Sequence, residues 1–277
     1  GGYSLQGTST PRQRMPVHAR LGGRMNSIHL VPVEGRVPYA EGLEWQRELA
    51  RAKIDGDLAE DLVLLLEHEP VVTLGRGARD SNVVASPGLL ENAGVSTVEV
   101  ERGGDVTYHG PGQLVGYPIV DLNRWKRDLH WYLRQLEQTL IDALGELGLA
   151  SFRYPAFTGV WVGDESALDD SGRATGQVRK IGSIGVHVSR WVTWHGFALN
   201  VTDEPLHNFD LIVPCGIDEV RMTTLQSEGA IFDANAVSRA IGRGLAGAFE
   251  CEVWTAPPVL AGDRPAFEAA CVTAGLR

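Results

Sequence analysis

The chain has 277 residues, of which 43% are hydrophobic, and a formal net charge of −10. It can therefore bury a substantial core, as one large domain or two small ones. The acidic balance argues against indiscriminate binding to nucleic acid, and the longest apolar run, residues 62–66, is far below the roughly 20 residues that span a bilayer.

Residues 1–25 differ in composition from the rest of the chain. They are rich in Gly, Ser, Thr, Pro and Arg, and they have no apolar core of about 7–15 residues such as a secretory signal needs. We expect a disordered N-terminal extension over residues 1–25 and a single domain over residues 26–277. The sequence leaves open a small C-terminal subdomain from about residue 224.

The first half of the domain is predicted to be mostly sheet. Residues 28–33 are typical of a strand, and the apolar spacing over residues 38–53, with Pro38 suited to the first turn, predicts a helix. Further strand-like runs, separated by Gly, Pro or Asn turns, follow at residues 62–66, 71–74, 97–100 and 114–122.

A glycine-rich segment, residues 102–113, lies between the last two of these runs. It reads R-G-G-D-V-T-Y-H-G-P-G-Q, and its four glycines allow the backbone to approach a ligand closely. The chain contains no nucleotide-binding pattern such as G-x-x-x-x-G-K-[ST]. The pattern is compatible with a binding loop and equally with a glycine-rich hairpin in which Tyr108 and His109 cap the core.

The second half of the domain contains the clearest amphipathic helix. Leucines recur at spacings of three and four over residues 129–147, and Gly148 ends the pattern. Strands are predicted at residues 159–163, 180–188 and 192–201, a loop at residues 164–175, and helices at residues 234–249 and 265–274. Strands and helices do not alternate strictly, so we expect one α+β domain rather than a doubly wound parallel fold.

Lys180 stands at the start of a predicted strand. Alternation along this strand places Lys180 on the same face as Gly182, Ile184 and Val186. Lysine is rarely buried without a partner, and a lysine that points into a site can take part in proton transfer. For one lysine seen in isolation, a solvated position at the strand edge is the alternative.

Cys215 lies between Pro214 and Gly216, directly after a strand-like run, so its thiol is expected on a turn that can face a cleft. Only about 3% of an unperturbed thiol is thiolate at pH 7. Lowering its pKa by about 1.5 units requires about 2 kcal/mol, and a lysine about 4 Å away supplies about 4 kcal/mol at an effective dielectric constant of about 20. Lys180 can therefore activate Cys215.

The other cysteines and the histidines carry weaker signals. Cys251 and Cys271 accompany the terminal helices and are predicted to be small buried hydrophobes. Three cysteines form neither an even disulfide set nor a C-x-x-C pattern, which favours a reducing compartment and hence the cytoplasm. His109, His187 and His195 leave a Cys-His pair open as an alternative, and their spacing predicts no metal site.

Taken together, these segments resemble the lipoyl(octanoyl) transferase family, which moves octanoyl groups from acyl carrier protein to lipoate-dependent enzymes. Residues 102–113 are similar to the family's R-G-G-x-x-T-x-H-x-P-G-Q signature, residues 180–185 to its lysine segment and residues 214–217 to its cysteine turn. The resemblance spans roughly residues 28–225. Gly182 replaces an expected alanine and Phe197 a common leucine, which alters the expected shape of the acyl pocket.

The resemblance implies a mixed β-sheet flanked by helices, as in the catalytic domains of biotin and lipoate protein ligases. It implies that Cys215 carries the acyl group as a thioester, that Lys180 lowers the pKa of this thiol, and that no cofactor is required. The residues implied to line the acyl site are Arg102, Gly103, Gly104, Asp105, Val106, Thr107, Tyr108, His109, Ser183, Ile184, Gly185, Gly196, Phe197 and Ala198.

The implied donor is octanoyl-acyl carrier protein, and the implied acceptors are the lipoyl domains of 2-oxoacid dehydrogenases and the glycine cleavage H protein. Arg102, Arg179 and Arg190 are the expected docking residues for these acidic partners. Two other functions stay open at this point. One is an amidotransferase that moves octanoyl or lipoyl between protein domains, and the other is an acyl- or biotin-like binding module without turnover.

Overall fold

The computed structural model describes residues 20–21, 24–79, 82–154, 157–164, 178–213, 221–273 and 275, with side chains from residue 26 onward. The strands and helices are β1 (Arg20–Leu21), β2 (Arg24–Met25), β3 (Ser27–Val37), α1 (Tyr39–Asp55), β4 (Asp61–His68), β5 (Val71–Leu74), α2 (Pro87–Asn92), β6 (Ser96–Glu99), β7 (Val106–His109), β8 (Gln113–Ile119), α3 (Leu129–Glu146), β9 (Phe152–Tyr154), β10 (Phe157–Val162), β11 (Arg179–Ser189), β12 (Val192–Asn200), α4 (Leu206–Phe209), β13 (Arg221–Met222), α5 (Ala234–Phe249), β14 (Glu252–Thr255), β15 (Val259–Leu260) and α6 (Arg264–Thr273).

The larger sheet is mixed. Its strand order is β14-β3-β4-β8-β12-β11-β10-β9, with β15 beside β3 and β13 beside β11. The β14, β3 and β4 pairings are parallel, and the pairings from β4 through β9 are antiparallel. A smaller sheet has the order β6-β5-β7. This arrangement of a mixed sheet with helices confirms the predicted α+β class.

Two apolar cores cover the two faces of the larger sheet. Val63 and Leu65 of β4 pack toward α3 and α5, whereas Leu62, Leu64 and Leu66 of the same strand pack toward α1 and α6. Because β4 is buried on both faces, its sequence is a continuous apolar run rather than an alternating one. None of the helices in the described part of the chain is long and apolar enough to cross a membrane.

The two helices that pack together on one face begin at acidic caps. The Asp128 carboxylate accepts a hydrogen bond from the Trp131 amide at 3.0 Å, and the Asp233 carboxylate accepts one from the Ala236 amide at 2.9 Å. Each cap satisfies an amide that has no partner within its own helix. The predicted bounds of both helices agree with α3 and α5 to within one residue.

The glycine-rich segment does not form a hairpin. Its strand β7 pairs with β5 of the smaller sheet, while the next strand, β8, pairs with β4 and β12 of the larger sheet. Residues 110–112 therefore connect the two sheets, and the hairpin alternative is wrong. Local patterns missed α2, β7, β9 and β14, each of which has six residues or fewer.

Both ends of the chain add short elements. Strands β1 and β2 pair with each other at the end of the expected N-terminal extension, and residues 1–19 lie outside the described residues. After residue 224, α5 joins the core around α3, and β14 and β15 pair with β3. The strands after residue 224 therefore extend the larger sheet, and α5 packs on one of its faces.

Candidate active site

A cavity of about 350 Å³ lies where β10 leaves β11. Within the described part of the chain, β10 pairs with β11 as far as Val160, which is opposite Gly182. Beyond this point the Gly103 amide donates to the Val186 carbonyl of β11 at 2.8 Å. The glycine-rich segment therefore docks on the edge of β11 that β10 has left, and the cavity lies between them.

Most of the residues predicted to form the site meet at this cavity. Lys180 lines it, as do all the residues implied to line the acyl site except Tyr108. The Tyr108 ring packs edge-on against Phe209, and its hydroxyl accepts a hydrogen bond from Asn208 at 2.8 Å. Tyr108 packs with Phe209 and with Val72 of β5 in one apolar cluster. Cys215 lies outside the described residues.

Several apolar lining residues were not predicted from the sequence. Val115 of β8, Leu129 and Leu133 of α3 and Phe157 of β10 contribute to the cavity. Leu129 and Leu133 belong to the leucine stripe that predicted α3, and Leu129 is 40% exposed because the stripe extends beyond the core. The sequence gives no signal that separates a leucine over a cavity from a leucine in a core.

A β-bulge determines the direction of Lys180. Val160 is opposite Gly182 but the next residue, Trp161, is opposite Lys180, so β11 carries one extra residue, Ile181, at this point. The Lys180 ammonium lies 5.3 Å from the centroid of the Trp161 ring, and the side chain is 2% exposed. The prediction that Lys180 and Gly182 share a face is wrong, because simple alternation does not survive a bulge. The alternative of a solvated edge lysine is wrong as well.

Arg102 holds the glycine-rich segment to strand β5. Its Nη2 donates to the Thr73 carbonyl at 2.8 Å and to the Thr73 hydroxyl at 2.9 Å, and its Nη1 donates to the Gly103 carbonyl at 3.1 Å. Arg102 is buried. The prediction that it docks a protein partner is therefore wrong. Arg179, a second predicted docking residue, donates two hydrogen bonds to Glu228 at 2.7 and 2.9 Å.

The glycine-rich segment is also bonded to the chain just before Cys215. One Asp105 carboxylate oxygen accepts from the Asn82 side-chain amide at 2.6 Å, and the other accepts from the Val106 amide at 2.7 Å. The Asn82 carbonyl in turn accepts from the Val213 amide at 2.7 Å. Asp105 is thus connected, through Asn82, to the backbone of Val213, which lies two residues before Cys215 in the sequence.

A second chain of hydrogen bonds runs from Thr223 to His109. The Thr223 amide donates to the Lys180 carbonyl at 2.9 Å, and the Thr223 carbonyl accepts from Asn200 at 3.0 Å. Asn200 Oδ1 accepts from Gln113 Nε2 at 2.9 Å, and Gln113 Oε1 lies 2.7 Å from His109 Nδ1. Because an amide oxygen only accepts, His109 Nδ1 carries the proton and its Nε2 offers a lone pair.

Buried aromatic and imidazole rings form the wall behind the cavity. His68 Nδ1 donates to the Val37 carbonyl at 2.8 Å, so His68 Nε2 accepts from the Tyr117 hydroxyl at 2.7 Å. Burial lowers the pKa of His68 to about 4 and the pKa of His109 to about 3, and it raises the pKa of Tyr39 to about 12. All of these rings are uncharged at pH 7.

The neutral imidazoles predict a loss of stability in mild acid. The pKa values of His68 and His109 in the folded protein lie below the value of about 6.5 expected in the unfolded chain, so the unfolded state binds more protons in this window. The stabilisation is complete above about pH 6.5 and is lost as the pH falls, by about 2 kcal/mol per imidazole at pH 5. Urea denaturation at pH 7, 6 and 5 measures it. His68→Gln should show a shallower pH dependence, and an equal slope in both proteins would contradict the assignment.

His195 reaches the cavity from a strained position in β12. Its φ is +56°, and its Nε2 lies 3.8 Å from Glu101 Oε1. The contact with His195 and hydrogen bonds from Arg47 and Trp194 hold the pKa of Glu101 well below its usual range. His109 and His195 line the cavity and His187 does not, so two of the three histidines considered for a Cys-His pair stay near the site. In the described part of the chain, no group of three or more His, Cys, Asp or Glu side chains could hold a metal ion.

Comparisons with known proteins identify the family of the chain. Residues 38–246 match the model of the lipoyl protein ligase A/B catalytic domain family. The chain is 47% identical over 219 residues to the octanoyltransferase of Solibacter usitatus, which covers 79% of this chain and 92% of that protein. It is 50% identical over 183 residues to the octanoyltransferase of Gloeobacter violaceus, which covers 66% of this chain and 73% of that protein.

Solved structures share the fold at low sequence identity. A lipoate-protein ligase A crystallised with ATP is 14% identical, with a TM-score of 0.59 and coverage of 90% of this chain and 94% of that one. A bipartite lipoate protein ligase from Thermoplasma acidophilum is also 14% identical, with a TM-score of 0.58 and coverage of 90% and 91%. The expected fold is thereby confirmed. With its family-model match and close relatives at 47–50% identity, the chain belongs to the octanoyltransferase family.

Proposed function

We propose that the protein transfers an octanoyl group from octanoyl-acyl carrier protein to a lysine of lipoyl domains, through a thioester on Cys215. The acceptors are the lipoyl domains of 2-oxoacid dehydrogenases and the glycine cleavage H protein, and the reaction takes place in the cytoplasm. Similarity to octanoyltransferases supports the reaction class. One observation carries the assignment to this site, namely that segments far apart in the sequence surround one cavity that Lys180 lines.

The cavity suits a medium-length acyl chain. Its walls include the apolar side chains of Val115, Leu133, Ile184 and Phe197, with polar groups at Lys180. A pocket of about 350 Å³ is in the size range of small-molecule sites. Burial of the seven carbons beyond an octanoyl carbonyl contributes about 6 kcal/mol at about 0.8 kcal/mol per carbon. The chain can thus be bound by its apolar tail, with its carbonyl directed to the polar end.

The surroundings of the Cys215 segment support a Cys-Lys pair. On one side, Val213 is bonded to Asn82, the partner of Asp105. On the other side, strand β13 pairs in parallel with β11, where Met222 is opposite Lys180. The described residues on either side of Cys215 are therefore connected to the glycine-rich segment, through Asn82, and to β11. Both of these elements line the cavity.

The proposed transfer has two steps. Neutral Lys180 takes the proton of the Cys215 thiol, and the thiolate attacks the donor thioester carbonyl. The pantetheine thiolate leaves and is protonated by the Lys180 ammonium, so Cys215 carries the octanoyl group and Lys180 is neutral again. The amine of the acceptor lysine then attacks the new thioester and gives a proton to Lys180. Cys215 leaves as the thiolate, which regenerates the thiolate-ammonium pair that attacks the next donor.

Both steps proceed without a nucleotide. The first exchanges one thioester for another, and the second converts a thioester into a more stable amide. Lys180 moves each proton, and the low polarity of its buried position strengthens its attraction to the thiolate. The fold shared with these ligases, one of which was crystallised with ATP, concerns architecture alone, because both structures are only 14% identical to this chain.

Incubation with octanoyl-acyl carrier protein in the absence of ATP tests the proposal. We expect the intact mass to show an octanoyl adduct that hydroxylamine removes. The masses of the tryptic peptides should then place this adduct on residues 191–221. This peptide contains Cys215 alone, whereas Cys251 and Cys271 lie together beyond Arg243 and provide an internal control. The adduct should disappear when a lipoyl domain is added, with a matching mass gain on the domain.

Other outcomes would point to other functions. Acylation that needs ATP would indicate a ligase, and faster acylation from an octanoyl-lipoyl domain than from acyl carrier protein would indicate an amidotransferase. Tight binding of the acyl donor with neither adduct nor transfer would indicate a binding module. Any of these results would contradict the proposed reaction.

A further inference from the structure

Glu137 is a fully buried carboxylate on α3, outside the residues that line the cavity. Its Oε1 accepts a hydrogen bond from the Gly159 amide at 3.1 Å. Its Oε2 accepts from Arg134 at 2.6 Å and from Arg153 at 3.1 Å. The two arginines compensate the buried charge. The remaining oxygen is directed at the backbone of β10.

Gly159 is the residue at which β10 turns away from β11. It precedes Val160, the last residue of β10 that is paired with β11, and it has a φ of +135°, which strongly favours glycine. Its amide hydrogen bonds to Glu137 instead of to the neighbouring strand. Thr158, the residue before it, already lines the cavity. Strand β10 therefore separates from β11, and the cavity opens, at the residue whose amide is hydrogen-bonded to Glu137.

The backbone of Gly159 is also the surface against which Lys180 packs. A Cβ at Gly159 would lie 2.8 Å from Lys180 Cε and 2.7 Å from the Gly182 carbonyl oxygen. No side chain fits between them. A shift of the β10 backbone at this point would therefore move the Lys180 side chain, because the interior is packed without spare volume.

We propose that Glu137 is a positioning residue of the transfer reaction. Its hydrogen bond to the Gly159 amide fixes the path of the β10 backbone, and this backbone in turn fixes the position of the Lys180 ammonium at the cavity. The inference rests on the proposed function, in which Lys180 activates Cys215. Removal of the Glu137 carboxylate leaves a buried amide donor without its acceptor, and β10 has to move to pair or hydrate it. Lys180 then loses its supporting surface.

The test compares Glu137→Leu, which removes the acceptor, with Glu137→Gln, which keeps a carbonyl oxygen for the Gly159 amide. We expect Glu137→Leu to lower kcat by about 100-fold, as misplacement of a catalytic group by about 1 Å does, with little change in KM for acyl carrier protein. Glu137→Gln should retain most of kcat. Leu144→Ala, which truncates another buried residue of α3, is the matched control and should lower Tm without lowering kcat.

The pH dependence of Cys215 alkylation by iodoacetamide separates positioning from a loss of stability. Cys251 and Cys271 are buried and have pKa values raised to about 12, so they react slowly. Glu137→Leu should raise the apparent pKa of alkylation toward that of Lys180→Met, and the double variant should show no further rise. The Leu144→Ala control should leave it unchanged.

Two results would overturn the inference. In the first, Glu137→Leu lowers Tm but keeps the parent alkylation profile. In the second, Gly159→Ala, a variant that displaces Lys180 while retaining the Glu137 charge, folds and keeps the parent profile; this variant also serves if Glu137→Leu does not fold. If Lys180→Met itself keeps the parent profile, the proposed Cys-Lys function fails first, and the role of Glu137 fails with it.

Discussion

Replacement of Cys215 by serine is expected to reduce octanoyl transfer by at least about 1,000-fold, the scale on which catalysis falls when a nucleophile is removed. A serine hydroxyl remains protonated beside a lysine that is able to ionise a thiol, so the attacking anion is not formed. The affinity for octanoyl-acyl carrier protein should change little, since the acyl tail is bound by the apolar walls of the cavity. Steady-state transfer to a lipoyl domain, together with donor binding by fluorescence anisotropy, measures both quantities.

The other two cysteines provide matched controls for this substitution. Cys251 and Cys271 are buried in the two cores, and burial raises the pKa of each to about 12. Cys251→Ser and Cys271→Ser should cost stability and leave turnover per folded molecule unchanged. If Cys215→Ser kept a tenth or more of the parent rate, the covalent mechanism would be wrong.

Replacement of Lys180 by methionine is expected to lower kcat/KM by about 100-fold to 1,000-fold at pH 7, with partial recovery at higher pH. Without a nearby ammonium, the pKa of the Cys215 thiol returns to about 8.5, so the thiolate fraction is about 3% at pH 7 and about three quarters at pH 9. Activity should therefore rise with pH in the variant over a range in which the parent is nearly constant. Recovery stays incomplete, because the proton transfers to and from Lys180 are also lost.

The chain offers a lysine outside the site as the control. Lys126 is exposed and paired with Asp128 at 2.9 Å, so Lys126→Met should keep the parent rate and the parent pH profile. A pH-rate profile of Lys180→Met parallel to that of the parent would show that another group activates the thiol. His109 and His195, which line the same cavity, would then be the next residues to replace.

The sequence by itself determined those features that depend on local periodicity and composition. The leucine spacing predicted α3 and the apolar spacing of residues 38–53 predicted α1, because a helix buries one stripe. The apolar run in β4 predicted a strand, and both faces of that strand are covered. The segments around Arg102 and Lys180 were recognisable because close backbone approach and proton transfer require particular residue types.

Only the tertiary structure decided how these segments are arranged around the cavity. The bulge at Ile181 reversed the expected direction of Lys180, and the pairing of β7 with β5 removed Tyr108 from the site. In the sequence, Glu137 is one polar residue of an amphipathic helix, and only the structure shows that its carboxylate bonds to the Gly159 amide. The physical reason is the same in each case. Register, bulges and hydrogen bonds between distant segments result from how whole elements pack, and periodicity along a single segment carries no information about them.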